Sequence, residues 1–158
     1  MDSPQLINRA LLGRVSAEAK ASPRRRKNFN FHLSETDASH RLLNAMEPDS
    51  YIQPHCHLDA TKDESIIVIS GRFGMVFFDD AGNVAETVSL TPGGEVAGVN
   101  IPHGVFHSVV ALEPDSVFFE AKSGPYQVLK PEEKAPWAPA EGEPESDAYL
   151  TGLRSLFA

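Results

Sequence analysis

The chain of 158 residues carries 22 acidic against 14 basic side chains, a formal net charge of -8. That length fits one domain with a single core, and the acidic balance argues against nucleic-acid binding, which needs a basic surface to displace counterions from phosphates. No apolar stretch approaches the roughly 20 residues that span a bilayer, and "MDSPQLINRALLGRV" lacks the basic start and unbroken apolar centre of a secretory signal. With a lone cysteine, Cys56, that can form no internal disulfide, a cytoplasmic protein with no membrane partner is expected.

Ser3-Pro4 is a hydroxyl cap followed by proline at a first helical position, and Leu6, Ile7, Ala10, Leu11 and Val15 then recur at helical spacing. This predicts an amphipathic helix from about Pro4 to Lys20, ending before Ser22-Pro23, so that residues 1–22 form an N-terminal helical appendage. In "RRRKNFNFH" the polar Asn28, Asn30 and His32 alternate with Phe29 and Phe31, the pattern of a strand with one polar and one apolar face.

From Arg41 to Val128, short Val-, Ile- and Phe-rich runs are separated by turn signals such as Asp79-Asp80-Ala81-Gly82-Asn83 and Pro92-Gly93-Gly94. Strands of this length and spacing predict an all-β sandwich or barrel over residues 23–130, with "ESIIVIS", "RFGMVFF", "HSVVAL" and "SVFFEA" as its clearest members. Several are apolar on both faces, so a helix or a second subunit should cover at least one sheet, and a homodimer is expected. Residues 131–158 begin as a Pro-, Glu- and Ala-rich arm, "KPEEKAPWAPAEGEPES". A short helix capped by Ser146 should follow, its Tyr149, Leu150, Leu153, Leu156 and Phe157 stripe docking on the strands with Trp137.

The chemistry concentrates in "YIQPHCHLDATKDESIIVISG" and "IPHGVFH". His55 and His57 are two apart, so on a strand they share a face while Cys56 points away. Glu64 opens the next run on the face of Ile66 and Val68, and a hairpin between the two strands would set its carboxylate opposite the histidines. His107 opens another strand after a Pro102-His103-Gly104 turn, sharing its side with Val109 and Ala111. Each signal alone is weak. Together, three imidazoles and one carboxylate at inward strand positions predict a mixed nitrogen and oxygen site for one divalent transition metal ion, whether Fe, Mn, Ni, Zn, Co or Cu.

The pattern His55-x-His57, Glu64, Gly71, then Pro102-x-Gly104-x-x-His107 resembles the two motifs of the cupin superfamily. That resemblance implies a jelly-roll (cupin) β-barrel, here with an N-terminal helix and a short C-terminal one, and implies His55, His57, Glu64 and His107 as metal ligands. Two positions depart from the pattern: Asp49 stands where the first motif usually has glycine, and the gap from His57 to Glu64 is longer than usual. "SPRRRKNFNFH", "RLLNAMEPDSYIQPHCH", "IPHGVFHSVVALEPDSVFFEAKSGPY" and the "PAEGEPES" arm are similar to the cupin fold metalloproteins of WbuC type, found beside surface-polysaccharide genes.

The reading expected from these features is a metal-dependent enzyme of isomerase or epimerase type. Its substrate would be a small anionic sugar-like metabolite, in surface polysaccharide biosynthesis. Lys62, Tyr126 and His32 are candidate proton carriers. Arg25 and Lys27, folded over the mouth, would hold a phosphate or carboxylate. Asn28 would line the pocket, and Phe106 would add an aromatic wall; core packing is an equal role for Phe106 and Tyr126. The alternatives are a metal-containing module that binds a sugar without reaction, and an Fe-dependent dioxygenase.

Overall fold

The computed structural model describes residues 3–158 and shows two antiparallel sheets facing each other, with one helix outside each. The helix α1 (Arg9–Ala21) precedes eight strands: β1 (Arg26–Asn30), β2 (Ser39–Met46), β3 (Glu64–Ser70), β4 (Phe73–Phe78), β5 (Val84–Leu90), β6 (Gly98–Ile101), β7 (Phe106–Ala111) and β8 (Ser116–Ser123). A 3-10 turn (Pro131–Glu133) and α2 (Ser146–Ser155) complete the chain. The larger sheet has the order β1-β2-β8-β3-β6, the smaller one β5-β4-β7. Among the described residues no helix is long and apolar enough to cross a membrane.

Period-two alternation sorts the side chains of both sheets. Met46, Ile66, Val68 and Phe118 from the larger sheet meet Phe73, Met75, Val109 and Ala111 from the smaller, forming the central core. The outer face of the larger sheet, with Leu43, Ala45 and Val117, packs under Val15 and Ala19 of α1. The outer face of the smaller sheet, with Val76, Phe78 and Val110, packs under Leu150 and Leu153 of α2, Trp137 and Phe157. The chain's own helices thus cover the apolar outer faces that raised the expectation of a homodimer. Close packing of this second layer requires Gly74, because the Phe157 ring occupies the space a Cβ would take there. Gly71, which stops the β3 run, has φ +72° and lies against Ser116.

Both helices start differently from the expectation. Helix α1 begins at Arg9, where the Asn8 side chain accepts a hydrogen bond from the Leu11 N–H at 3.0 Å. The segment ahead of it, residues 3–8, forms no regular secondary structure, and Leu6 is 70% exposed. In α2 the Ser146 hydroxyl donates to the Glu143 carbonyl instead of capping the helix. The burial pattern yields a stability prediction: Leu43→Ala, at a fully buried position under α1, should cost about 2–5 kcal/mol. Leu6→Ala should stay within about 0.5 kcal/mol of wild type in the same urea titration.

Candidate metal centre

Backbone pairing places the four candidate ligands. Glu64, at the start of β3, stands opposite Ile101 on β6 and Lys122 on β8. His107 on β7 stands opposite Phe77 on β4 and forms an isolated bridge with His55, whose N–H donates to the His107 carbonyl at 3.0 Å while His107 returns the bond at 2.9 Å. The His55–His57 segment is therefore no hairpin partner of β3. It is threaded between β7 and the C-terminal arm, where the Cys56 N–H donates to the Glu133 carbonyl (2.8 Å) and the Ala135 N–H to the Pro54 carbonyl (2.9 Å). The Glu133 carboxylate also accepts the Leu58 N–H at 2.9 Å. An arm whose composition promised no regular structure thus supplies the outer rail of the histidine segment, which is why this segment does not need β3.

The three imidazoles converge on one cavity of about 640 Å³. Ring centroids are 4.7 Å apart for His55 and His107, 5.4 Å for His55 and His57, and 6.2 Å for His57 and His107. With a nitrogen–metal distance of about 2.1 Å, rings sharing an ion have centroids roughly 4.5–6.4 Å apart, so all three spacings fit. His55 Nδ1 lies 3.1 Å from the Gln53 carbonyl and His107 Nδ1 2.9 Å from the Val105 carbonyl. Such carbonyls fix the tautomer that leaves Nε2 with its lone pair, the usual second contact of a ligating imidazole. Donor atoms on the other side are engaged with one another: His57 Nε2 is 3.1 Å from Glu64 Oε2, and Lys122 Nζ is 3.4 Å from each. As they stand, no three His, Cys, Asp or Glu side chains among the described residues are gathered around one point in ion-holding geometry. The residue types, ring spacings and fixed tautomers nevertheless fit a mixed nitrogen and oxygen site.

A family model described as "Domain of unknown function (DUF6016)" matches residues 7–90, just over half of the chain, and so includes His55, His57 and Glu64. The chain belongs to the DUF6016 family. No curated protein matches it. Among solved structures it is similar to KdgF from Halomonas sp., with 23% identity, a TM-score of 0.52, and coverage of 67% of this chain and 84% of that one. It is also similar to the SPY1581 protein from Streptococcus pyogenes, with 11% identity, a TM-score of 0.52, and coverage of 80% and 93%. These likenesses give the DUF6016 protein a cupin-like β-sandwich fold.

Around the donors, the DUF6016 protein carries a buried charged cluster that the sequence reading passed over. Lys122 Nζ is 3.0 Å from Glu120 Oε1, and Glu120 Oε2 accepts from Asn44 Nδ2 at 2.7 Å. The signal was present in "SVFFEAK", where Glu120 and Lys122 continue the inward alternation of Phe118 along an apolar strand. Burial alone would lower the Lys122 pKa, but Glu120 and Glu64 beside it hold it up at about 12. Burial, reinforced by Glu64, raises the Glu120 carboxyl. Burial would raise Glu64 too, yet the His57 hydrogen bond and the Lys122 charge leave it below the ordinary carboxylate range.

The other expected site residues are spread from this cluster to the surface. His32 is buried at the cavity wall, stacked on His40 at 4.0 Å. Lys62 is also buried there, but its Nζ donates to the carbonyls of Ser123 (2.7 Å) and Pro125 (2.5 Å), which commits it to holding that loop. Tyr126 stands at the rim, 57% exposed. Lys27 and Asn28 line the mouth from β1. Arg25 lies outside the cavity: its backbone has φ +57° and its Nε reaches Asp49 at 2.9 Å. Phe106 also lies outside, its ring 6.0 Å from that of Trp137 in the outer layer. Arg24 and Arg26 do line the mouth, both paired to Glu141 of the arm at 2.8 and 2.7 Å.

Acid should destabilise the metal-free protein through the two buried imidazoles. Burial, reinforced by His107, lowers the His55 pKa to about 3, and burial lowers His107 as well. Between the unfolded value near 6.5 and the folded one, the unfolded chain binds more protons, so stability falls as pH falls. For His55 the loss approaches about 1.4 kcal/mol per pH unit once the pH is well below 6.5, and His107 adds to it in the same direction. Urea unfolding of metal-free protein at pH 7, 6 and 5 measures this loss, and His55→Gln should flatten it.

Proposed function

We propose that this protein is a metal-dependent enzyme of the isomerase or epimerase type, acting on a small anionic, sugar-like metabolite. One observation carries the reading: three imidazoles and a carboxylate from three segments face one cavity, two of the imidazoles with Nδ1 committed to carbonyls and Nε2 left available. An ion bound there would act as a Lewis acid on a substrate carbonyl. The chain's own groups then position the substrate and carry its proton. Amides from Asn28, Asn30 and Asn44 line the wall toward β1, suited to hydroxyl groups. Glu120, ionised beside Lys122 but with its carboxyl pKa raised by burial, is suited to take up a proton and return it. His32 faces the same cavity and is a second proton carrier, whereas Lys62 is committed to its two carbonyls. The likeness of the sequence to WbuC-type cupins supports a sugar substrate in surface polysaccharide assembly.

Incubating Mn²⁺- or Co²⁺-loaded protein with nucleotide sugars and sugar acids in deuterated water tests this by mass spectrometry. Metal-dependent deuterium incorporation at a carbon next to a carbonyl is expected. Saturable binding without exchange would replace the reading with a passive binding module, and oxygen uptake by Fe²⁺-loaded protein would replace it with an oxygenase.

A further inference from the structure

Lys122 has two carboxylate acceptors and an imidazole nitrogen within reach. Its Nζ is 3.0 Å from Glu120 Oε1 and 3.4 Å from both Glu64 Oε2 and His57 Nε2. The strand register dictates this grouping: Lys122 lies directly opposite Glu64 across β3 and β8, and Glu120 is two residues along the same inward face. Asn44 fixes the second oxygen of Glu120 at 2.7 Å, so the carboxylate that aims the lysine is itself held. Taking three charges out of water costs several kcal/mol per ion before their mutual attraction is counted. Core packing does not ask for them, since the apolar contacts between the sheets are made farther along by Met46, Val68 and Phe118.

The charges also have a sign that matters. With neutral imidazoles, Glu64, Glu120 and Lys122 leave a formal charge of minus one, and a divalent ion turns that into plus one. A loaded site therefore has one positive charge in excess, and its only protein-borne cation at the His57–Glu64 edge is Lys122 among the described residues. We propose that Lys122 is the specificity-determining side chain of this site, selecting a ligand with a carboxylate or similar anionic oxygen seated beside His57 and Glu64. The assignment rests on the metal-dependent reading above and adds the chemical class of the ligand. It has a second consequence, because the ammonium lies against two of the donor atoms an ion would use. Removing its charge should strengthen metal binding while weakening anion binding, a pairing that loss of packing would not produce.

The experiment compares full-length wild type, Lys122→Met and Lys122→Arg, each titrated with Co²⁺ against a competing chelator, then with malonate or glycerol, read in the visible Co²⁺ spectrum. Lys122→Met should bind Co²⁺ at least as tightly as wild type and malonate about tenfold more weakly, with glycerol unchanged. Lys122→Arg, which keeps the charge, should retain malonate binding within about threefold. Equal malonate affinity in wild type and Lys122→Met, no malonate binding by wild type, or equal losses in the Met and Arg variants would each overturn the role of Lys122 alone. Failure of wild type to take up Co²⁺ would instead overturn the metal reading and this assignment with it.

Discussion

His107→Ala is expected to lower the affinity for a divalent transition metal at least about 100-fold, since losing a partner that merely orients a ligand already costs 10–100-fold. His107 is buried, its backbone bonds both ways with His55, and its Nδ1 is fixed by the Val105 carbonyl. Alanine removes the nitrogen without disturbing those backbone bonds. His55→Ala should behave alike. Glu64→Gln should cost less, about tenfold, because an amide oxygen can still coordinate and the three nitrogens supply most of the donor set. Chelator-competition titrations of the three variants give the ranking, and an unchanged affinity in both histidine variants would contradict the assignment.

Ending the chain after Lys130 is expected to leave it unfolded. The removed segment contains Trp137, Leu150, Leu153 and Phe157, which cover Val76, Phe78 and Val110 on the outer face of the smaller sheet. At about 1.5–3 kcal/mol for each large side chain buried, the loss is about 6–12 kcal/mol, comparable to the whole stability of a typical domain. The same cut removes Glu133 and Ala135, the outer rail of the histidine segment. In the full-length chain, Glu133→Ala separates the two effects. It should spare folding, because the sheet stays covered, yet weaken metal binding by releasing the Leu58 N–H. Circular dichroism and metal titration on both variants distinguish these outcomes, and a folded, metal-binding truncation would contradict both roles.

Much of this architecture is legible in short-range patterns. The clearest strand runs, "ESIIVIS" and "SVFFEA", lie within β3 and β8 because alternation and turn residues are local signals. The inward placement of Glu64 and His107 follows from the same alternation. What local pattern cannot convey is which distant segments pair. Glu64 was expected to face the histidines through a hairpin, but β3 pairs with β6 and β8, while the histidine segment lies between β7 and residues 133–135. The basic run shows the same limit at the scale of one residue. Arg24, Arg25 and Arg26 are equivalent in composition, yet a positive φ at Arg25 turns it to Asp49, and its two neighbours face the mouth. Glu120 and Lys122 carried a readable signal, charges at inward positions of an apolar strand, which the motif-centred reading did not use.

Anomalous diffraction from crystals grown with Co²⁺ or Mn²⁺, collected on both sides of the metal edge, tests the central assignment most directly. One peak per chain is expected within about 2.0–2.2 Å of nitrogens from His55, His57 and His107 and an oxygen of Glu64. A peak elsewhere, or none at that cavity while the protein binds metal in solution, would contradict it.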